Sequence, residues 1–225
     1  MKFVQAILLT ALFLFISVAH VNGYIIASST FDTGFDGWGA LPGETTSLSH
    51  MMTGGNPGGY INNVDTGPTS GNIVAPAEFT GDWSSLDGSG LLSWDFNMFD
   101  PGVGTVLDLR AYIFGPGGSA TYLSGIVPPQ GSWISVAASI MESVWNVDTG
   151  NWNSILSDVT ELRLMIENVV TTARFETTGI DNVFLSNEPE PSSVPEPSSI
   201  LLFGSAISLI FAYRKKKIHS RCSNF

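Results

Sequence analysis

The sequence predicts an all-β fold, a jelly-roll-like β-sandwich with one short helix, flanked by an N-terminal signal peptide and a C-terminal transmembrane helix. The central region is rich in glycine, threonine, serine, asparagine and aromatic residues and contains no lysine, a composition typical of strands and turns. Several stretches alternate between apolar and polar residues, and glycine- and proline-rich turns separate them. Many short strands with long connections are typical of a two-layer sandwich.

The first 23 residues have the features of a signal peptide. Lys2 provides a positive charge, and residues 4–18 are almost entirely apolar. Val21 and Gly23 occupy the small-residue positions of a cleavage site, so the mature chain is expected to begin at Tyr24. An uncleaved anchor is the alternative, although the apolar run is shorter than the roughly 20 residues of a typical membrane span.

The domain itself is expected to cover residues 24–186, and its strands are predicted from a period of two. Apolar residues share one face in four stretches, 92–98, 107–113, 134–140 and 162–167. In the last stretch Arg163 and Glu167 flank the apolar face. One exception has helical spacing and predicts a single short helix, formed by Trp152, Ile155, Leu156 and Val159.

Charge divides the chain into an acidic central region and a basic C-terminus. All 20 aspartates and glutamates lie between residues 24 and 196, a region with only three basic residues, Arg110, Arg163 and Arg174. Phosphate backbones would repel such a surface, so no nucleic-acid partner is expected. The one cysteine, Cys222, lies in the basic tail, and the domain is therefore predicted to fold without a disulfide.

Three segments follow the domain. Residues 187–199 are rich in proline, glutamate and serine and predict an extended linker. Residues 200–213 are uncharged and mostly apolar, and they predict a short transmembrane helix. Residues 214–225 form a basic tail that is expected to stay cytoplasmic, because each cation would cost about 2.5–3.5 kcal/mol at the bilayer centre. The tail begins with the membrane-orienting cluster Arg214, Lys215, Lys216 and Lys217.

This C-terminal arrangement resembles the PEP-CTERM sorting signal of exported bacterial proteins. The motif is carried by Val194, Pro195, Glu196 and Pro197, and the apolar stretch and basic cluster follow in the order typical of the family. The resemblance implies cleavage by an exosortase near the motif, after which a membrane-tethered precursor becomes a cell-surface or extracellular protein. It also implies a bacterium that makes extracellular polysaccharide. A simple tail anchor is the alternative.

The domain is similar to the laminin B (laminin IV) domain in several short segments. These segments are 53–61, 74–82, 91–96, 133–145, 160–164 and 179–183. The resemblance extends over roughly residues 31–185 and implies a jelly-roll-like extracellular module with a matrix or adhesion role. Glu78 departs from the family, in which a basic residue is common at that position. No catalytic residues are associated with the family.

Catalysis is poorly supported, so the protein is not predicted to be an enzyme. His50 is the one histidine between residues 24 and 186, and a Ser-His-Asp arrangement needs a positioned histidine base. A zinc site is equally disfavoured without cysteine in this region. Calcium is the possible cofactor, since hard carboxylate oxygens suit it. Candidate ligands near the first and last strands are Asp32, Asp36 and Asp181.

Two non-catalytic functions remain, and the sequence favours an adhesion or structural role at the cell surface. Extracellular glycan binding is the alternative, because carbohydrate modules use exposed aromatic side chains. Tyr60, Trp83 and Trp145 are the candidates, although such rings are more often buried in a core or a turn. A polysaccharide hydrolase is a third and weaker hypothesis.

Overall fold

The computed structural model describes residues 24–44, 46–65, 71–167, 169–174 and 176–187. The chain divides into two units, Met1–Pro189 and Glu190–Phe225, and every described residue lies in the first. The predicted signal peptide, the membrane segment and the basic tail all lie outside the described residues. Within the part of the chain that is described, no helix is long and apolar enough to cross a membrane.

The described residues form fourteen strands and one α-helix. In chain order the strands are β1 (Ile25–Ser29), β2 (Gly39–Ala40), β3 (Thr46–Met51), β4 (Tyr60–Asp65), β5 (Asn72–Val74), β6 (Gly90–Asp100), β7 (Val103–Val106), β8 (Arg110–Gly115), β9 (Gly118–Leu123), β10 (Trp133–Ile140), β11 (Trp145–Gly150), β12 (Glu161–Met165), β13 (Val169–Arg174) and β14 (Thr177–Ser186). Helix α1 is Trp152–Leu156, and two short 3₁₀ segments are Ala77–Phe79 and Ser84–Leu86.

The strands build a sandwich of two antiparallel sheets. The first sheet has the order β10-β6-β14-β4-β3, and β1 pairs with the second half of β14 beside β4. The second sheet has the order β11-β9-β8-β12-β5-β2, while β7 and β13 pair separately. The prediction of an all-β sandwich with one short helix is therefore confirmed.

The core follows from the alternation in the sequence. In β6, Leu92, Trp94, Phe96 and Met98 are at most 1% exposed, because every second side chain of a strand points to the same face. The inward residues of β8, β9, β10 and β12 join them in one apolar cluster between the sheets. Burial of this cluster is the main force that holds the two layers together.

Helix α1 confirms the one helical prediction. The Asn151 side chain accepts a hydrogen bond from the Ser154 backbone N–H at 3.3 Å and so caps the helix N-terminus. Trp152, Ile155 and Leu156 are buried against the sandwich. The predicted fourth position, Val159, is also buried but lies beyond the helix, in a β-bridge with Gly81.

Candidate functional site

The outer face of the second sheet carries a cluster of charged and aromatic side chains. Strand β8 points Ala111 and Ile113 into the core, so Arg110, Tyr112 and Phe114 lie on the opposite face and remain partly exposed. Residues of the two neighbouring strands extend this row of side chains on both sides of β8. Arg163 of β12 and Thr121 of β9 stand directly opposite Tyr112 on its two neighbouring strands.

Each arginine of this face has a carboxylate partner. Arg110 lies 3.0 Å from Asp108, and Arg163 forms an ion pair with Glu161. At the far edge, Thr121 donates a hydrogen bond of 2.7 Å to Asp148. Asp148 is exposed, and the other side chains are partly exposed. The ion pairs and the hydrogen bond hold the polar atoms in place, and these atoms still reach the surface.

Two rings complete the face. The Arg163 guanidinium lies 4.3 Å from the centroid of the Phe114 ring, in a cation–π arrangement. Burial raises the pKa of Tyr112, and the nearby Arg110 opposes that effect by favouring the charged form. We name this surface the arginine face. It consists of Asp108, Arg110, Tyr112, Phe114, Thr121, Asp148, Glu161 and Arg163.

The arginine face can donate hydrogen bonds, accept them and offer apolar ring surface within one area. Guanidinium groups supply several donors in a fixed plane, and the paired carboxylates supply acceptors. This face therefore holds Arg110 and Arg163, two of only three arginine or lysine residues between positions 24 and 196.

The predicted glycan-binding aromatic residues lie elsewhere. Tyr60, Trp83 and Trp145 are 7%, 2% and 4% exposed, so none of them presents an open ring face. Trp145 uses its indole N–H to bond the Ser139 carbonyl at 2.9 Å and packs on Tyr122. The structure therefore places Trp83 and Trp145 in the core and covers Tyr60 with Phe99 and Trp133, whereas the rings of Tyr112 and Phe114 are partly exposed.

The outer face of the first sheet is covered by its own aromatic side chains. Tyr60, Phe99 and Trp133 contact one another edge to face or at a tilt, with ring centroids 5.4 to 5.9 Å apart. They close over Gly179, where an added Cβ would lie 2.9 Å from atoms of Phe99 and Tyr60. Trp133 also donates a hydrogen bond to the Gly54 carbonyl.

The predicted calcium ligands hold loops by hydrogen bonds to backbone N–H groups. Asp36 accepts from Phe31, Asp32 from Gly59 and Asp181 from both Asn56 and Asn182. Burial raises the pKa of Asp181 to about 6, and the neighbouring carboxylates of Asp95 and Asp32 act in the same direction.

Asp32 and Asp181 thus lie near one another, whereas Asp36 is engaged at the turn after Phe31. Among the described residues no group of three or more His, Cys, Asp or Glu is arranged to hold a metal ion. A calcium ion at these three aspartates stays a prediction.

Among the described residues, His50 is hydrogen-bonded to a backbone carbonyl rather than to the side chain of a nucleophile or an acid. Its Nε2 is 2.6 Å from the Phe31 carbonyl oxygen, and its ring is 6.2 Å from that of Phe35. The imidazole is therefore engaged with the backbone of the loop after β1. The sorting residues 194–197 and the cluster 214–217 lie outside the described residues.

Comparison with protein families gives one match, at the C-terminus. A family model described as the PEP-CTERM protein-sorting motif matches residues 193–217. The chain carries a PEP-CTERM sorting motif. The prediction made from Val194, Pro195, Glu196 and Pro197 is thereby confirmed, and the match includes the apolar stretch and the basic cluster. No protein of curated function matches the chain in sequence.

Solved structures with a similar fold include both carbohydrate-associated proteins and a laminin domain. A family 11 carbohydrate-binding module from Clostridium thermocellum, in complex with a β-1,3-1,4-mixed-linked tetrasaccharide, is 21% identical over 74% of this chain and 99% of its own, with a TM-score of 0.46. The L4b domain of human laminin α-2 is 11% identical over 73% of this chain and 99% of its own, with a TM-score of 0.46.

An exo-β-agarase is also similar in structure. It is 17% identical over 74% of this chain, which spans 25% of the agarase, with a TM-score of 0.50. Identities this low show a shared fold and nothing about binding or activity, so a function has to be argued from the chain's own side chains.

Proposed function

We propose that the protein is an exported, non-catalytic glycan-binding module with a jelly-roll-like domain, and that the arginine face is its binding surface. The observation that carries this proposal is the juxtaposition of Arg110, Arg163, Tyr112 and Phe114 on one sheet face, each arginine beside a carboxylate. The sequence alone favoured an adhesion or structural role, with glycan binding as the alternative, and this surface supports the alternative.

Sugars present hydroxyl groups around apolar C–H faces, and the arginine face offers partners for both. Arginine and carboxylate side chains form charge-assisted hydrogen bonds, which are about twice as strong as neutral ones. The rings of Tyr112 and Phe114 supply flat apolar surface at a small cost in conformational entropy. Since the ion pairs already hold both guanidinium groups in place, less side-chain freedom is lost when a ligand binds.

The binding test uses the purified full-length chain in mild detergent. Isothermal titration against a panel of soluble neutral and uronic-acid polysaccharides is expected to give at least one saturable interaction. Arg163→Gln is expected to weaken that interaction about 10- to 100-fold, because a hydrogen bond to a charged group contributes about 1.5–3 kcal/mol. Tyr112→Ala is expected to weaken it as well, through loss of ring contact.

Met52→Ala is the matched control, since Met52 is 77% exposed and lies outside the arginine face. Its affinity should equal that of the unaltered chain, and all three variants should keep their melting temperature within a few degrees. Saturable binding that neither Arg163→Gln nor Tyr112→Ala weakens would assign the glycan to another surface. The absence of any binding across the panel would return the protein to a structural role.

The sorting motif supports a second part of the proposal. We infer that residues 1–23 direct export, that residues 200–213 cross the membrane once with Arg214–Lys217 in the cytoplasm, and that an exosortase cleaves near Pro195-Glu196-Pro197. Mass spectrometry of the surface form tests this directly. The unaltered protein should lack both terminal segments, whereas Glu196→Ala should retain the C-terminal one. Equal, full-length masses for both proteins would exclude processing at the motif.

A further inference from the structure

The arginine face carries more negative than positive charge. Its two guanidinium groups belong to Arg110 and Arg163, and its three carboxylates belong to Asp108, Asp148 and Glu161. The face therefore has a net negative charge, although it holds two of the three arginine or lysine residues between positions 24 and 196. The rest of the domain adds to this field, because all 20 aspartates and glutamates of the chain lie in the same region.

Both guanidinium groups already have carboxylate partners. Arg110 donates to Asp108 Oδ1 from Nε at 3.2 Å and from Nη2 at 3.0 Å. Arg163 Nε donates to Glu161, and the same guanidinium lies over the Phe114 ring. A carboxylate or sulfate group of a ligand would have to displace these partners or share them. A sugar hydroxyl can instead accept from the remaining N–H groups and donate to the carboxylates.

Strands β9 and β11 extend the face with uncharged hydroxyl groups. Ser119 and Thr121 lie on the outer side of β9, since the alternate residues of that strand are buried. Ser119 Oγ lies 3.1 Å from Thr149 Oγ1 on β11, and Thr121 donates to Asp148 of the same strand. Neither strand contains a lysine, an arginine or a histidine, so this half of the face offers no cation to an anionic ligand.

The sheet register aligns charged, aromatic and neutral side chains in one row. The row consists of cross-strand partners on four neighbouring strands, Arg163, Tyr112, Thr121 and Asn146. Adjacent strands lie about 4.8 Å apart, so the row is about 14 Å long. An extended chain that crosses the strands can contact all four side chains.

The carboxylates act on the ring in the middle of this row. Burial is the main cause of the raised pKa of Tyr112, and the charges of Asp108 and Asp148 raise it further, whereas Arg110 lowers it. A ligand group placed over the Tyr112 ring is consequently in the field of both negative charges.

We propose that the ligand of the arginine face is an uncharged polysaccharide, and that Asp108, Asp148 and Glu161 exclude polyanionic chains such as polyuronates and sulfated glycans. This inference rests on the proposed glycan-binding function and names the class of glycan. The hydroxyl groups of a neutral chain satisfy guanidinium and carboxylate groups alike. A polyanion would bring a regular series of negative charges against a surface of the same sign, and such contact is unfavourable.

Pairs of soluble polysaccharides that share one backbone test this proposal with the full-length chain in mild detergent. The pairs are hydroxyethylcellulose with carboxymethylcellulose, methyl-esterified with de-esterified galacturonan, and any neutral polysaccharide that binds with its carboxymethylated derivative. In titration calorimetry the neutral member should bind about 10-fold tighter or more. The difference should narrow as NaCl is raised from about 10 to about 150 mM, because the Debye length falls from about 30 to about 8 Å.

Substitution of the carboxylates should relax this preference. Glu161→Gln keeps the shape of the side chain, removes one negative charge and releases the Arg163 guanidinium, so affinity for the anionic member should rise about 10-fold. Asp148→Asn, at an exposed position, should act in the same direction. Glu142→Gln is the matched control, because it removes an exposed acid from the turn between β10 and β11 and should leave both affinities unchanged.

The outcomes separate this inference from the function on which it rests. Equal or tighter binding of the anionic member overturns the assignment of an uncharged ligand and leaves glycan binding standing. An unchanged preference in both Glu161→Gln and Asp148→Asn overturns the role given to the carboxylates. The absence of binding by any polysaccharide refutes the glycan-binding function itself, and this inference with it.

Discussion

Trp152 links the one helix of the domain to the sandwich, and its removal is expected to be severely destabilising. The side chain is 2% exposed, its ring lies 6.1 Å from that of Trp145, and its indole N–H donates a 3.0 Å hydrogen bond to Asp87. Truncation of a buried aromatic residue to alanine typically costs about 3–5 kcal/mol. The lost ring pair and hydrogen bond bring the expected cost of Trp152→Ala to about 4–6 kcal/mol.

Urea unfolding of the full-length chain measures this cost. With a denaturant slope near 2 kcal/mol/M, the midpoint of Trp152→Ala should fall by about 2–3 M. Trp152→Phe keeps a ring but loses the N–H donor, so a smaller loss of about 1–2 kcal/mol is expected. Met52→Ala, at a 77% exposed position, should change stability by less than about 0.5 kcal/mol.

A loss below about 2 kcal/mol for Trp152→Ala would refute this reasoning, because it would mean that the helix contributes little to the core. Equal losses for the alanine and phenylalanine variants would instead show that the bond to Asp87, rather than the buried ring, accounts for the effect.

Two further substitutions test the packing on either side of the first sheet. Gly179→Ala places a methyl group 2.9 Å from atoms of Phe99 and Tyr60, so a loss of about 1–3 kcal/mol in the free energy of thermal unfolding is expected. Gly34→Ala is the control and should be nearly neutral, because no atom lies within 4 Å of the added methyl group. Equal losses for the two variants would contradict the close contact at Gly179. Tyr122→Phe removes a 2.9 Å hydrogen bond to the Ala137 carbonyl and should cost about 0.5–1.5 kcal/mol by urea unfolding, and a neutral result would show that this bond adds nothing to stability.

Local patterns predicted some of the elements of the fold. Alternation with a period of two predicted the strand that became β6, and helical spacing predicted α1, because both periods follow directly from backbone geometry. The PEP-CTERM motif was equally accessible, since it is a linear arrangement of residue types that needs no tertiary structure to be recognised.

Alternation failed for Glu167, which it placed on the polar side of its strand beside Arg163. The strand ends two residues earlier, and the backbone N–H groups of Ile166 and Glu167 both donate to the Gly71 carbonyl, which turns the chain so that the carboxyl enters the core. Gly71 lies far away in the sequence, and no pattern local to Glu167 could indicate this reversal.

The aromatic residues show a related limit. Hydrophobicity alone could not separate the buried Trp83 and Trp145 from the partly exposed Tyr112 and Phe114. The alternation in β8 did place Arg110 and Tyr112 on the outer side, but the position of Arg163 opposite Tyr112 depended on β12 lying beside β8.

The sequence by itself determined that this is an acidic, strand-rich domain that carries a C-terminal sorting motif, because composition, period and linear motifs are properties of neighbouring residues. Only the tertiary structure decided which polar side chains meet. Strand order places the two arginines on one open face and buries Glu167 beside Asn63 and Thr46. Both arrangements arise from pairing between distant segments, and such pairing is set by packing of the whole core.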